Sequence, residues 1–196
     1  MTEASPIGVV FIQGGGAGAY DEDAKLADSL RRELGDGFTV EYPRMPREDE
    51  PDYDRWRSAI GDALHRIGRA TVVVGHSIGG YLLLRYLVTE RIDVPIIAIC
   101  SIAAPFPGGD SDWTYEGFDL PDRFAERLPA DAAVLLYACE DDQIVPFAHR
   151  DVYAAAIPRA VPRTAKGGHQ LGNDLSIVAA DIRRIVDGPR PAARGA

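Results

Sequence analysis

Residues 71–80 read TVVVGHSIGG, and the chain runs straight on as YLLLRYLV over residues 81–88. A run of β-branched residues favours an extended strand, and the leucine-rich run after it favours a helix. Between them lies Gly75-His76-Ser77-Ile78-Gly79, the pattern G-x-S-x-G in the setting of strand, tight turn and helix. Such a turn forces its serine into a strained backbone conformation, and side chains two residues to either side would collide. Ser77 is therefore the first residue to suspect of chemistry.

Working outward from this turn, strand-like and helix-like segments alternate along the chain. Strands are predicted near residues 7–12, 38–42, 70–75, 94–101, 132–138 and 160–165. Alternation of this kind implies an α/β fold, a three-layer α/β/α sandwich around a mostly or wholly parallel six-stranded sheet. The strands read as continuous apolar runs (VVFI, VVV, PIIAIC, AVLLY), as expected when helices cover both faces. In residues 22–34, Leu26, Ala27, Leu30 and Leu34 share a helix face, with Asp21, Glu22 and Asp23 at the start and Arg31 and Arg32 near the end, matching the helix dipole. Trp56, Ile60, Leu64 and Ile67 do the same over residues 53–67. In the last helix, Leu175, Val178, Ile182 and Ile185 form the stripe, Asn173 or Asp174 is the expected N-cap, and Gly188-Pro189 the stop.

Composition bounds the rest. With 196 residues, 46% hydrophobic and 26% charged, the chain reads as one ordinary globular domain, ordered over about 6–187 with a frayed tail, GPRPAARGA, at 188–196. Cys100 and Cys139 end apolar strand-like runs, lack metal-ligand spacing and read as small buried hydrophobes. A net charge of −9 argues against nucleic acid and anionic membranes as partners. MTEASP lacks the features of a signal peptide, and no apolar stretch reaches the roughly eighteen residues of a membrane span, so a cytoplasmic protein is expected.

A serine hydroxyl needs a base to take its proton and an acid to orient that base. Of four histidines, His65 and His149 read as surface or half-buried helix residues. His76 must point away from Ser77, and support is its expected role. His169, in AKGGHQLGND, follows the last strand, at the carboxyl end where ligands meet open parallel sheets. The acid is sought in CEDDQIVP after the strand AVLLYA; Asp142 is preferred and Asp141 is the runner-up. An oxyanion hole calls for two backbone N–H donors. Ile78 supplies one, and the run Gly14-Gly15-Gly16 after the first strand the other, with Gly15 preferred. Gly14, His76, Phe106 and Trp113 are the expected substrate contacts. The glycine run lacks the Lys-Ser/Thr of a phosphate loop, and a dinucleotide site leaves the serine, acid and histidine without a role. Two segments stay open at this level: 104–120, an ordered loop that is either pocket wall or edge packing, and 43–52, a rim or a connector.

Together, Gly75-His76-Ser77-Ile78-Gly79, Asp142-Gln143-Ile144-Val145-Pro146 and Gly168-His169 resemble the α/β-hydrolase superfamily, over about residues 7–186 and in its chain order of serine, acid and histidine. The short length, the lack of a cap insertion and the spacings of 65 and 27 residues resemble the small retinoblastoma-binding serine hydrolase family. The resemblance implies Ser77 as nucleophile, Asp142 as acid, His169 as base, and Ile78 with a glycine of the 14–16 run as oxyanion donors. Gln13-Gly14 stands where many members have His-Gly, which leaves that glycine donor open by one residue. The expected activity is hydrolysis of a small carboxylic ester, or a thioester or amide, through an acyl-enzyme, with a small-molecule acyl substrate and no metal or organic cofactor. The competing readings are a non-catalytic ligand- or protein-binding module on the same scaffold, and a peptidase or acyltransferase using the same residues.

Overall fold

A computed structural model describes residues 5–114 and 117–188. The terminal tail and Tyr115 of the long loop lie outside the described residues. Six strands, β1 (Ile7–Ile12), β2 (Phe38–Glu41), β3 (Thr71–His76), β4 (Ile96–Ile102), β5 (Ala133–Cys139) and β6 (Val161–Ala165), form one sheet. Every pairing is parallel, in the order β2-β1-β3-β4-β5-β6. Six α-helices connect and flank the strands: α1 (Ala19–Leu34), α2 (Tyr53–Ile67), α3 (Ser77–Thr89), α4 (Phe124–Arg127), α5 (Ala148–Ala156) and α6 (Ser176–Asp187). This is the expected sandwich, an alpha/beta hydrolase fold with no cap domain apparent among the described residues.

Alternation along each strand feeds two cores. Val9 and Phe11 of β1, with Val72 and Val74 of β3, face Leu26, Leu30, Val178 and Ile182 of α1 and α6. Val10, Ile12 and Val73 face Trp56, Ile60, Leu83 and Leu87 of α2 and α3 on the opposite side. Strands covered on both faces have no solvent side, which is why they read as unbroken apolar runs. Both cysteines lie in these interiors, and burial pushes their thiols up, to about 12 for Cys100 and about 11 for Cys139.

Element ends follow local chemistry. Helix α1 starts at Ala19, earlier than the apolar stripe predicts, because Gly18 takes a left-handed φ of 82° and turns the chain into it. Strand β4 starts after Pro95, which has no N–H to give to the ladder. Leu175, rather than Asn173 or Asp174, is the N-cap residue of α6; Asp174 nevertheless accepts the Ser176 N–H at 2.8 Å. The sheet edges are short: four residues in β2, and five in β6 with Pro162 second.

The described residues of the 104–120 loop pack along α3 and α5. Tyr81 Oη donates to the Asp119 carbonyl at 2.9 Å and accepts the Asp119 N–H, and its ring lies 4.1 Å from that of Phe118. His149 corrects the expectation of a surface or half-buried residue. It is 2% exposed, accepts the Phe106 N–H on Nδ1 at 2.7 Å and bonds Asp110 through Nε2 at 2.8 Å, clasping both ends of the 106–110 turn. His65 is exposed on α2.

Candidate active site

The first crossover runs from β1 out to β2 and the next returns past β1 to β3, so strand order reverses between β1 and β3. At such a switch point, loops at the carboxyl ends of adjacent strands part and leave a crevice. The loop after β1 is the glycine run, and the turn after β3 carries Ser77.

Ser77 has φ 53°, the left-handed conformation that a tight strand-to-helix turn demands. The flanking glycines are sterically required. A Cβ on Gly75 would come within 2.6 Å of Gly80 Cα, and one on Gly79 would run into the Gln13 carbonyl. Ile78 follows in the first turn of α3, where N–H groups have no intrahelical acceptor.

In the glycine run, the Gly14 N–H donates to Asp23 Oδ2 at 2.7 Å and the Gly16 N–H to the Glu48 carbonyl. Among the described residues no partner within the protein takes the Gly15 N–H. Gly15 also lies against the elbow, since a Cβ there would stand 2.7 Å from Ile78 Cγ2. Gln13 is fully buried; its amide accepts the Met45 N–H at 3.0 Å and donates to Glu48 Oε2 at 2.7 Å. Glu48 also accepts the Tyr20 N–H, and Trp56 Nε1 donates to the Pro46 carbonyl. Residues 43–52 thus strap the glycine loop from outside, with Pro51 against Gly15. Gln13 anchors that strap.

Beyond β5, Asp142 Oδ2 lies 2.9 Å from Nδ1 of His169, and its Oδ1 accepts the N–H groups of Ile144 and Val145 at 2.8 and 3.0 Å. Burial pushes this carboxyl up, but the His169 contact and the two N–H donors outweigh it and hold it below the usual carboxylate range. Asp141 accepts instead from the Gly168 N–H at 3.1 Å. His169 and Ser77 line the same cleft, about 330 Å³ in volume, with the glycine run and Gln170; no hydrogen bond joins the Ser77 hydroxyl to the His169 ring.

His76 is buried, with Nδ1 2.8 Å from Asp23 Oδ2 and Nε2 2.9 Å from the His169 carbonyl oxygen. Gly14 and His76 line the cleft, with both ring nitrogens of His76 and the Gly14 N–H bonded within the protein. Phe106 and Trp113 are not among the residues that line this cleft. Phe106 packs on Tyr153 and Phe124 and lines a separate depression with Phe118 and Leu120, while Trp113 packs beside Phe118. Both pack within the long loop and against its neighbours.

Two residues at the cleft went unread in the sequence. Asp23, which as a charge matches the dipole at the start of α1, is 1% exposed and accepts from Gly14, His76 and Gln170. Its signal was position, because it precedes Leu26 and Ala27 by three and four residues and so sits on the buried stripe. Gln170 reaches Asp23 Oδ1 at 2.9 Å across 147 residues of sequence, which no local pattern encodes. Among the described residues no group of three or more His, Cys, Asp or Glu side chains could hold a metal ion, and no helix is long and apolar enough to cross a membrane.

An all-parallel sheet whose switch point carries a serine on a strand-to-helix elbow defines an α/β protein of the hydrolase fold. Residues 9–187 match the family model described as the Alpha/beta hydrolase family, and the chain belongs to that family. It is 28% identical over 151 residues to the protein named "Putative hydrolase YdeN" of Bacillus subtilis (strain 168), covering 74% of this chain and 76% of that one. The crystal structure of the Bacillus subtilis ydeN gene product superposes with TM-score 0.65 at 20% identity, over 94% of this chain and 100% of the other. Est1E from Butyrivibrio proteoclasticus, solved with ferulic acid bound, gives TM-score 0.67 at 15% identity over 94% and 90%. Esterase PE8 gives 0.68 at 18% over 93% and 94%.

Proposed function

We propose that the protein is a serine hydrolase that cleaves a small carboxylic ester, or a thioester or amide, through an acyl-enzyme. The observation that carries this reading is the 2.9 Å pairing of Asp142 with His169 at the mouth of the cleft that holds Ser77 on its strained elbow. Ser77 attacks the carbonyl carbon and His169 takes the hydroxyl proton, then returns it to the leaving group. Water, activated by the same imidazole, releases the acyl group. Asp142 orients the ring and stabilises its cationic form. The N–H groups of Ile78 and Gly15 receive the developing oxyanion, each worth about 3 kcal/mol of barrier; the commitment of Gly14 and Gly16 to other acceptors favours Gly15. A small acyl substrate suits a cleft walled by residues 14–19. Within the family, the spacings between Ser77, Asp142 and His169 favour kinship with the small retinoblastoma-binding serine hydrolases.

The test is labelling by a fluorophosphonate probe together with hydrolysis of short p-nitrophenyl esters. Both are expected in the native protein and neither in Ser77→Ala or His169→Ala. Turnover that persists in Ser77→Ala would exclude the mechanism. Folded native protein that neither labels nor turns over would favour a binding module on the same scaffold.

A further inference from the structure

Building on the serine-hydrolase reading, we propose that Asp23 and His76 are a buried ion pair that positions the elbow, the glycine loop and the His169 loop against one another. Neither residue touches substrate; they act through the groups they hold.

The protonation state of His76 follows from its partners. Nδ1 faces a carboxylate oxygen and Nε2 a backbone carbonyl oxygen, and neither of these can donate. With Asp23 ionised, hydrogen bonds at both ring nitrogens require both to carry hydrogen, which makes the ring an imidazolium. Burial favours the neutral ring, but the charge and hydrogen bond of Asp23, the His169 carbonyl and the charge of Asp142 raise His76 above the ordinary histidine value. Burial likewise pushes Asp23 up, and His76, Gly14 and Gln170 bring it below its ordinary value.

The connectivity makes this pair more than a local contact. Asp23, on α1, takes the Gly14 N–H and the His76 ring on one oxygen and Gln170 on the other. His76 precedes the nucleophile by one residue and holds the carbonyl of His169, whose own ring meets Asp142. One carboxylate thus sets the separation of the oxyanion loop, the serine and the base. Because Gly14 is held, the adjacent Gly15 N–H is the one left for an oxyanion. A buried pair with side chains 2% and 1% exposed carries a large desolvation cost, and apolar residues of similar volume commonly fold as well or better. Fixed geometry among three loops is what the pair supplies in return.

The experiment compares Asp23→Asn with the native protein, using p-nitrophenyl acetate turnover and histidine ring ¹⁵N NMR. Asparagine keeps the shape but replaces one acceptor with a donor. We expect kcat to fall about 10- to 100-fold with KM changed less than about threefold, since sub-ångström misplacement of reacting groups acts on the transition state. Asp23→Glu is expected to recover part of the rate. Asp181→Asn breaks another buried carboxylate, bonded to Arg163 and Tyr137 away from the cleft, and is expected to lower thermal stability with kcat kept. Native kcat in folded Asp23→Asn, or an equal loss in Asp181→Asn, overturns the proposal. The NMR arm needs no turnover. His76 is expected to be doubly protonated near pH 7 in the native chain, and a neutral ring there overturns the proposal even if Asp23→Asn does not fold. Failure of the hydrolase reading itself is seen separately, as turnover unchanged in Ser77→Ala.

Discussion

Ser77 holds a left-handed backbone conformation that costs a non-glycine residue about 1–2 kcal/mol. The strain belongs to the backbone, so Ser77→Ala keeps it and Ser77→Gly releases it. Ser77→Gly is therefore expected to unfold about 2–8 °C above Ser77→Ala by calorimetry, both being inactive; equal midpoints would show that the turn is not strained. Gly79→Ala acts in the other direction. Its methyl would enter the space of the Gln13 carbonyl, joining the elbow to the glycine loop, so a loss of several °C and of fluorophosphonate labelling is expected. Residues of this kind were legible in the sequence, because a turn of five residues states its own steric requirements. Asp142 and His169 were legible in another way, as acid and imidazole candidates just past strands, where a parallel sheet presents its loops. Asp23 was not. Its charge in the first turn of a helix had a sufficient explanation in the helix dipole, and its partners Gly14, His76 and Gln170 come from three separate stretches of the chain.

Elements were read well wherever hydrophobic periodicity alone decides them. The α2 boundaries match the sequence reading, with Asp52 accepting the Arg55 N–H at its start and Gly68 ending it at φ 58°. What periodicity could not supply was the path of irregular segments, since these are fixed by single polar anchors. The 104–120 loop depends on His149, and the 43–52 strap on Gln13 and Trp56. His149→Ala would leave the Phe106 N–H and the Asp110 carboxylate without their partner and is expected to cost about 1–3 kcal/mol. Hydrogen exchange should show the effect concentrated at Phe106 and the following turn, and unchanged protection there would exclude the clasp. Ester turnover should change little in the same variant, because the cleft is lined by other loops.

At the scale of the whole molecule, stability should depend on pH from two sides. Asp23, Asp142 and Asp181 are each pushed up by burial but held lower by their partners, so their folded values fall below the ordinary one. Their contribution is present above about pH 4 and is lost as pH falls through those depressed values. His76 is raised, with Asp23 on α1 and Asp142 beyond β5 favouring its charged form, so its contribution is complete below about pH 6.5 and is lost as pH rises through its elevated value. The thermal midpoint is expected to be highest near pH 5–6 and to decline on both sides, and Asp23→Asn should flatten the alkaline decline; a native profile with no alkaline decline would remove His76 from it. The sheet edges bear on a different matter, the behaviour of many copies together. At one edge Arg31 reaches the Val40 carbonyl, and Arg66 pairs with Glu41; at the other, β6 is five residues long and contains a proline. Open strand edges are templates for further strands, and brevity, charge and proline are what blunt them. A concentrated solution of this protein is thereby guarded against fibrous growth by its outermost strands.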